Sequence, residues 1–220
     1  MIEIIYESVI YGYLYLQIIP ALIGLLCFKK LDIYYKSFIL ILWFAILNEI
    51  LASYYGTYIS LNQNHIFYNI YNIIYFNFLF WLFYSKINKP ILKNIIIINV
   101  ILYFSSIVYE LVFKEINYYT QTQVLPYIIS GFGILISISY YLMTFLTSNK
   151  QENLYINLLF WIAISHFIYY LGFIPLKIGE NYFINFKQFN YLINLKIIIT
   201  GLKSIILSVG FICSRQKVQS

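Results

Sequence analysis

The apolar run from Tyr191 to Cys213 constrains this chain most, because it is long enough to cross a bilayer and yet carries Lys196 and Lys203. A helix needs about 20 apolar residues to span the hydrocarbon core. The two lysines are two helical turns apart, so both ammonium groups lie on one face, about 10 Å apart along the axis. Thr200 and Gly210 share that face. A charge in the hydrocarbon core is costly and usually turns toward protein or a water-filled cavity, so this helix is expected to form the wall of a polar interior.

The remaining chain has the same character. Of its 220 residues 62% are hydrophobic and 10% charged, with a mean hydropathy of +0.78. Soluble domains are about 25% charged, so the composition describes an all-α, polytopic membrane protein. Aromatic enrichment beside abundant Ile, Asn and Lys fits an AT-rich genome and signals little else. The formal net charge of +6 points to lipid and not to nucleic acid, because the basic residues flank apolar spans and form no continuous patch. No direct nucleic-acid binding is expected. Glu3 and Glu7 stand where a cleavable signal peptide has a basic region, so the first helix is expected to remain.

At about 20 residues per span, seven helices are predicted, over 9–28, 37–58, 66–84, 94–113, 124–146, 154–176 and 191–213. They form a single domain over 1–220. Lys29, Lys30, Lys36, Lys86, Lys89, Lys93, Lys150, Arg215 and Lys217 fall on one side of this layout. Only Lys114, Lys177 and Lys187 fall on the other, which puts the N-terminus outside and the C-terminus in the cytoplasm of a bacterial inner membrane. Cys27 and Cys213 then lie at inner helix ends, as reduced thiols.

Each predicted span has one polar or small-residue face. Tyr13, Gln17, Pro20 and Gly24 align on the first, where Pro20 is expected to produce a kink. Ala45, Glu49, Ala52 and Gly56 align on the second, so Glu49 is expected to point into the bundle. His65, Asn69 and Asn72 open the third, with Asn77 farther in. Asn99, Tyr103, Ser106 and Glu110 align on the fourth, and Ser130, Gly133, Ser137, Tyr140 and Thr144 on the fifth. On the sixth they are Ala163, His166, Tyr170 and Phe173. Small and hydroxyl residues pack helices in any bundle, which is explanation enough for the uncharged positions.

Alternating helix directions place Glu49, His166 and Lys203 near the midplane, and Glu110 and Lys196 within about two turns of the outer surface. Two layers are therefore expected: Glu49 with Lys203 and His166 at the centre, and Glu110 with Lys196 above them, beside His65, Asn69 and Asn72. The outer pair reads as a structural bridge. The central group reads as functional, since His166 titrates near neutrality, although a lone histidine on such a face is more often a hydrogen-bonded packing residue. No HExxH, GxSxG or phosphate-loop pattern occurs, and two histidines without ligand-like spacing do not make a metal site. No catalytic residue and no cofactor are expected. A lysine in a seventh helix raises a retinal Schiff base as a minor alternative, but microbial rhodopsins carry an acid one turn before that lysine, where this chain has Ile199.

The segments Leu47-Asn48-Glu49-Ile50-Leu51-Ala52-Ser53-Tyr54-Tyr55 and His65-Ile66-Phe67-Tyr68-Asn69-Ile70-Tyr71 resemble a pattern that recurs in uncharacterised small seven-helix bacterial membrane proteins. The resemblance extends loosely through the seventh helix and implies topology without an activity. In size and class the chain is also similar to membrane accessory proteins encoded beside type VI CRISPR RNA-guided RNases. The expected function is a non-enzymatic membrane protein whose polar interior serves sensing, partner regulation (including phage defence) or a small pore, with lipid and a protein partner or further copies of itself around it. The competing expectation is a proton-coupled or ion-coupled carrier.

Overall fold

A computed structural model describes residues 2–59, 63–147, 154–179 and 186–214, with the side chains of 2–13, 154 and 186–190 excepted. Lys150, Arg215 and Lys217 lie outside the described residues, as do the side chains of Tyr13 and Lys187. The described residues are all-helical: α1 (Ile2–Cys27), α2 (Ile33–Tyr58), α3 (His65–Lys86), α4 (Pro90–Val112), α5 (Leu125–Leu146), α6 (Leu158–Gly179) and α7 (Phe186–Cys213), with 3-10 turns at Phe28–Lys30 and Leu154–Ile156. Six of these, α2 to α7, are long and apolar enough to cross a membrane among the residues whose side chains are described.

The helix ends follow local chemistry. Asp32 accepts the Tyr35 N–H through Oδ1 at 3.1 Å and so starts α2. Asn157 does the same for α6, accepting from Leu159 at 3.0 Å, which satisfies donors that an opening helix turn leaves unpaired. This cap is why α6 begins at Leu158 and not at the predicted 154. Pro90 opens α4, where its missing N–H removes no intrahelical bond. Both α1 and α6 continue past their internal prolines, Pro20 and Pro175. In consequence α6 extends to Gly179, and Lys177, expected in a loop, is buried in its last turn.

The chain divides into two compact units, 1–46 with 145–220 and 47–144, the division falling within α2 and near the end of α5. In the first unit α1 and α7 run in the same direction. Gly201 lies against Leu16 and Gly24 against Phe211, and the Cys27 thiol donates to the Phe211 carbonyl at 3.4 Å. Cys27 and Cys213 are both free thiols, as expected. α6 runs antiparallel to α7, with Gly172 against Ile199 near one end and Gly210 against Trp161 near the other. Ala21, Phe38, Ile39, Ile162, Ala163, Tyr170 and Phe211 form the core.

In the second unit α3 and α5 are parallel and α4 is antiparallel to both. Phe76 packs on Tyr103 and Tyr127, Phe83 on Tyr141, and the Asn99 amide donates to the Gly133 carbonyl at 3.3 Å. The buried stripe of α4, Leu92, Ile96, Asn99, Tyr103, Ser106, Ile107 and Glu110, follows the helical period. Its opposite face leaves Ile97, Ile98, Ile101, Leu102, Val108 and Val112 exposed. Burying such a side chain is worth roughly 1.5–3 kcal/mol, so a face of this kind belongs against lipid.

Candidate intramembrane polar site

The lysine face of α7 meets α6, as an antiparallel pair of that register requires. Lys203 is half-buried, with Nζ 4.4 Å from the centre of the Tyr169 ring. Two turns earlier on α7, Lys196 places Nζ 5.6 Å from the centre of Phe173. Tyr169 and Phe173, one turn apart on α6, stack at 4.9 Å. Two ammonium groups thus lie along a two-ring ladder. The π face of an aromatic ring attracts a cation with about 0.5–2 kcal/mol, more as water is excluded.

His166 is 0% exposed. Its Nδ1 lies 2.7 Å from the Ile162 carbonyl and 3.1 Å from Ser165 Oγ. A carbonyl only accepts, so in this geometry Nδ1 carries a proton. The ring meets Phe38 edge-on at 5.9 Å and is close enough to Lys203 for the lysine charge to act on it. The first unit thus brings His166 and Lys203 near one another. Glu49 belongs to the second unit and is described there. It sits partly accessible at the edge of its helix face, with Oε1 accepting from the Tyr68 hydroxyl at 3.3 Å, while its neighbour Asn48 is buried.

The second unit builds a polar core around the segment 113–124. The Glu110 carboxylate, 1% exposed, accepts the N–H groups of Leu125 at 2.8 Å and Val124 at 3.3 Å, and the Tyr118 hydroxyl at 2.8 Å. It caps α5 from a different helix, placing negative charge at the positive end of the α5 dipole. Glu110 was expected to answer Lys196; within its unit it answers the first turn of α5. Asn69, 1% exposed, donates to the carbonyls of Tyr118 and Gln121, both at 2.9 Å, and accepts the Gln123 N–H at 2.8 Å. Gln123, 0% exposed, returns a bond to the Asn69 carbonyl at 3.2 Å and accepts from Tyr103 at 3.4 Å.

Burial, then the bond to Glu110, raises the Tyr118 phenol above its ordinary pKa, because a tyrosinate there would face a carboxylate. His65 and Asn72 are half-buried at the start of α3 and in its second turn.

Sequence reasoning missed Tyr118, Gln123 and Tyr169. With aromatic residues making up 21% of the chain, the one-turn spacing of Tyr169 and Phe173 had no contrast against its background. Gln123 lies outside every helix face. No group of three or more His, Cys, Asp or Glu side chains able to hold a metal ion occurs among the described residues. No protein-family model, curated protein or solved structure matches this chain.

Proposed function

We propose that the chain is a non-enzymatic membrane protein of seven spans, N-terminus outside and C-terminus in the cytoplasm, that senses its surroundings or regulates a partner through the seam between α6 and α7. One observation carries this reading: the half-buried Lys203 ammonium rests on the Tyr169 ring beside the fully buried His166. An ammonium–ring contact of about 0.5–2 kcal/mol is weak enough for a partner helix, an anionic ligand or the membrane field to compete with. A unit charge carried across the whole field gains about 2.3 kcal/mol per 100 mV, and a shorter displacement a proportionate share.

The common direction of α1 and α7 supports an odd number of crossings, and Lys29, Lys30, Lys36, Lys86, Lys89 and Lys93 support a cytoplasmic C-terminus. The unbroken courses of α1 and α6 favour this reading over a carrier, since carriers bind solute at interrupted helices. An accessory to another membrane-linked protein is its narrower form.

Trp161 packs on Gly210 in the same seam, so its fluorescence, with Trp43 and Trp81 replaced by Phe, reports on that seam in vesicles. A step in pH or membrane potential is expected to shift its emission, and Lys203→Met to abolish the shift. Emission indifferent to both steps removes the proposal, and sustained proton flux replaces it with the carrier. A C-terminal reporter active only in the periplasm overturns the topology.

A further inference from the structure

We infer that the turn joining α3 to α4 is a binding site for anionic phospholipid headgroups. Three lysines outline it: Lys86 in the last turn of α3, Lys89 immediately before Pro90, and Lys93 in the first turn of α4. Lys89 is exposed and Lys86 and Lys93 half-exposed, while Ile87 and Leu92 are buried and hold the turn to the body of its unit. No carboxylate occurs anywhere between Glu49 and Glu110, so the segment that forms this hairpin is uniformly basic. Lys89 and Lys93 stand at the start of α4, where the helix dipole favours acidic side chains. A local rule broken in this way is characteristic of a functional surface.

The depth of the turn identifies the ligand. α3 and α4 are both of membrane-crossing length and apolarity, so the residues between them emerge at a membrane surface. Trp81 and Tyr84, both exposed on the last turns of α3, are the residue types that sit at headgroup level. The Lys93 Nζ lies 5.0 Å from the centre of the Tyr84 ring, so one of the three ammonium groups sits beside this exposed aromatic pair. Three cations at headgroup depth fit a phosphodiester carrying net negative charge, and a zwitterionic headgroup, whose own ammonium opposes them, fits poorly.

The test uses the full chain in detergent, titrated with phosphatidylglycerol or phosphatidylcholine, with bound lipids counted by native mass spectrometry. Phosphatidylglycerol is expected to bind more tightly than phosphatidylcholine. The K86Q/K89Q/K93Q variant is expected to lose roughly a hundredfold of that affinity, about fivefold per lysine. The K29Q/K30Q variant, altered at the turn between α1 and α2, serves as the comparison and is expected to keep the α3–α4 site. Thermal unfolding of each variant in phosphatidylcholine establishes that it is folded. Equal phosphatidylglycerol affinity in the triple variant, no preference over phosphatidylcholine, or displacement of the lipid by millimolar inorganic phosphate each overturns the inference.

Discussion

Replacing Glu110 by alanine tests the second unit where it is most tightly determined. The substitution removes the acceptor for two backbone N–H groups and one phenol, all at a site 1% exposed. Hydrogen bonds to a charged group are worth about 1.5–3 kcal/mol and a stranded buried N–H costs about 1–3 kcal/mol. The terms are not additive, since water can enter beside the 113–124 segment. A loss of about 3–5 kcal/mol is expected, a large share of a typical stability of about 5–15 kcal/mol. Glu110→Gln keeps one carbonyl oxygen for the Leu125 N–H and is expected to lose only about 1–2 kcal/mol. Exchanging charges, with Glu110→Lys and Lys196→Glu together, should rescue nothing, because an ammonium cannot accept from an N–H. The assay is reversible unfolding in mixed micelles. An alanine variant within 1 kcal/mol of the parent, or rescue by the charge exchange, refutes the capping role.

Three further outcomes are expected. Gly210→Ala should destabilise by about 1–3 kcal/mol, because a Cβ there would lie 2.8 Å from Trp161 Cγ. Gly201→Ala, with Leu16 at an ordinary 3.8 Å, should be neutral or stabilising in the same melting assay. Tyr118 contributes as a neutral donor whose folded pKa is raised, so its contribution is complete below the unfolded value of about 10 and is lost as pH rises through the folded value. The stability difference between the parent and Tyr118→Phe should therefore be flat from pH 6 to 9 and shrink above about pH 10; growth with pH contradicts the assignment. Tyr169→Leu should lose the ammonium–ring contact of about 0.5–2 kcal/mol together with the stack on Phe173, whereas Tyr169→Phe keeps the ring, and a Lys203→Met background should shrink the difference between the two by the first part alone in a double-mutant cycle.

Helix periodicity found the faces of α4, α5 and α6 because burial there follows one rule along the helix. Asn99, Tyr103, Ser106 and Glu110 are all buried, as are Ser130, Gly133 and Ser137. On α2 Ala52 is buried as expected, and of two adjacent polar residues Asn48 is buried while Glu49 is half-buried with its carboxylate on Tyr68 of α3. The pattern of small residues around Glu49 could not decide this, since adjacent residues differ by only about 100° around a helix.

The sequence by itself determined the class of the molecule: helices of membrane-crossing length, their approximate limits, the free thiols, and two lysines on one face of the last helix. These follow from local rules, because apolar run length and the helical period are properties of neighbouring residues. Only the tertiary structure decided what each charge meets. Lys203 and Lys196 rest on Tyr169 and Phe173, and Glu110 holds the first turn of α5. The sequence-level expectation paired charges by sign and depth. In a low-dielectric interior, however, backbone N–H groups, phenols and ring faces also stabilise charge, and which of them comes within a few ångströms is set by packing between segments far apart in the chain.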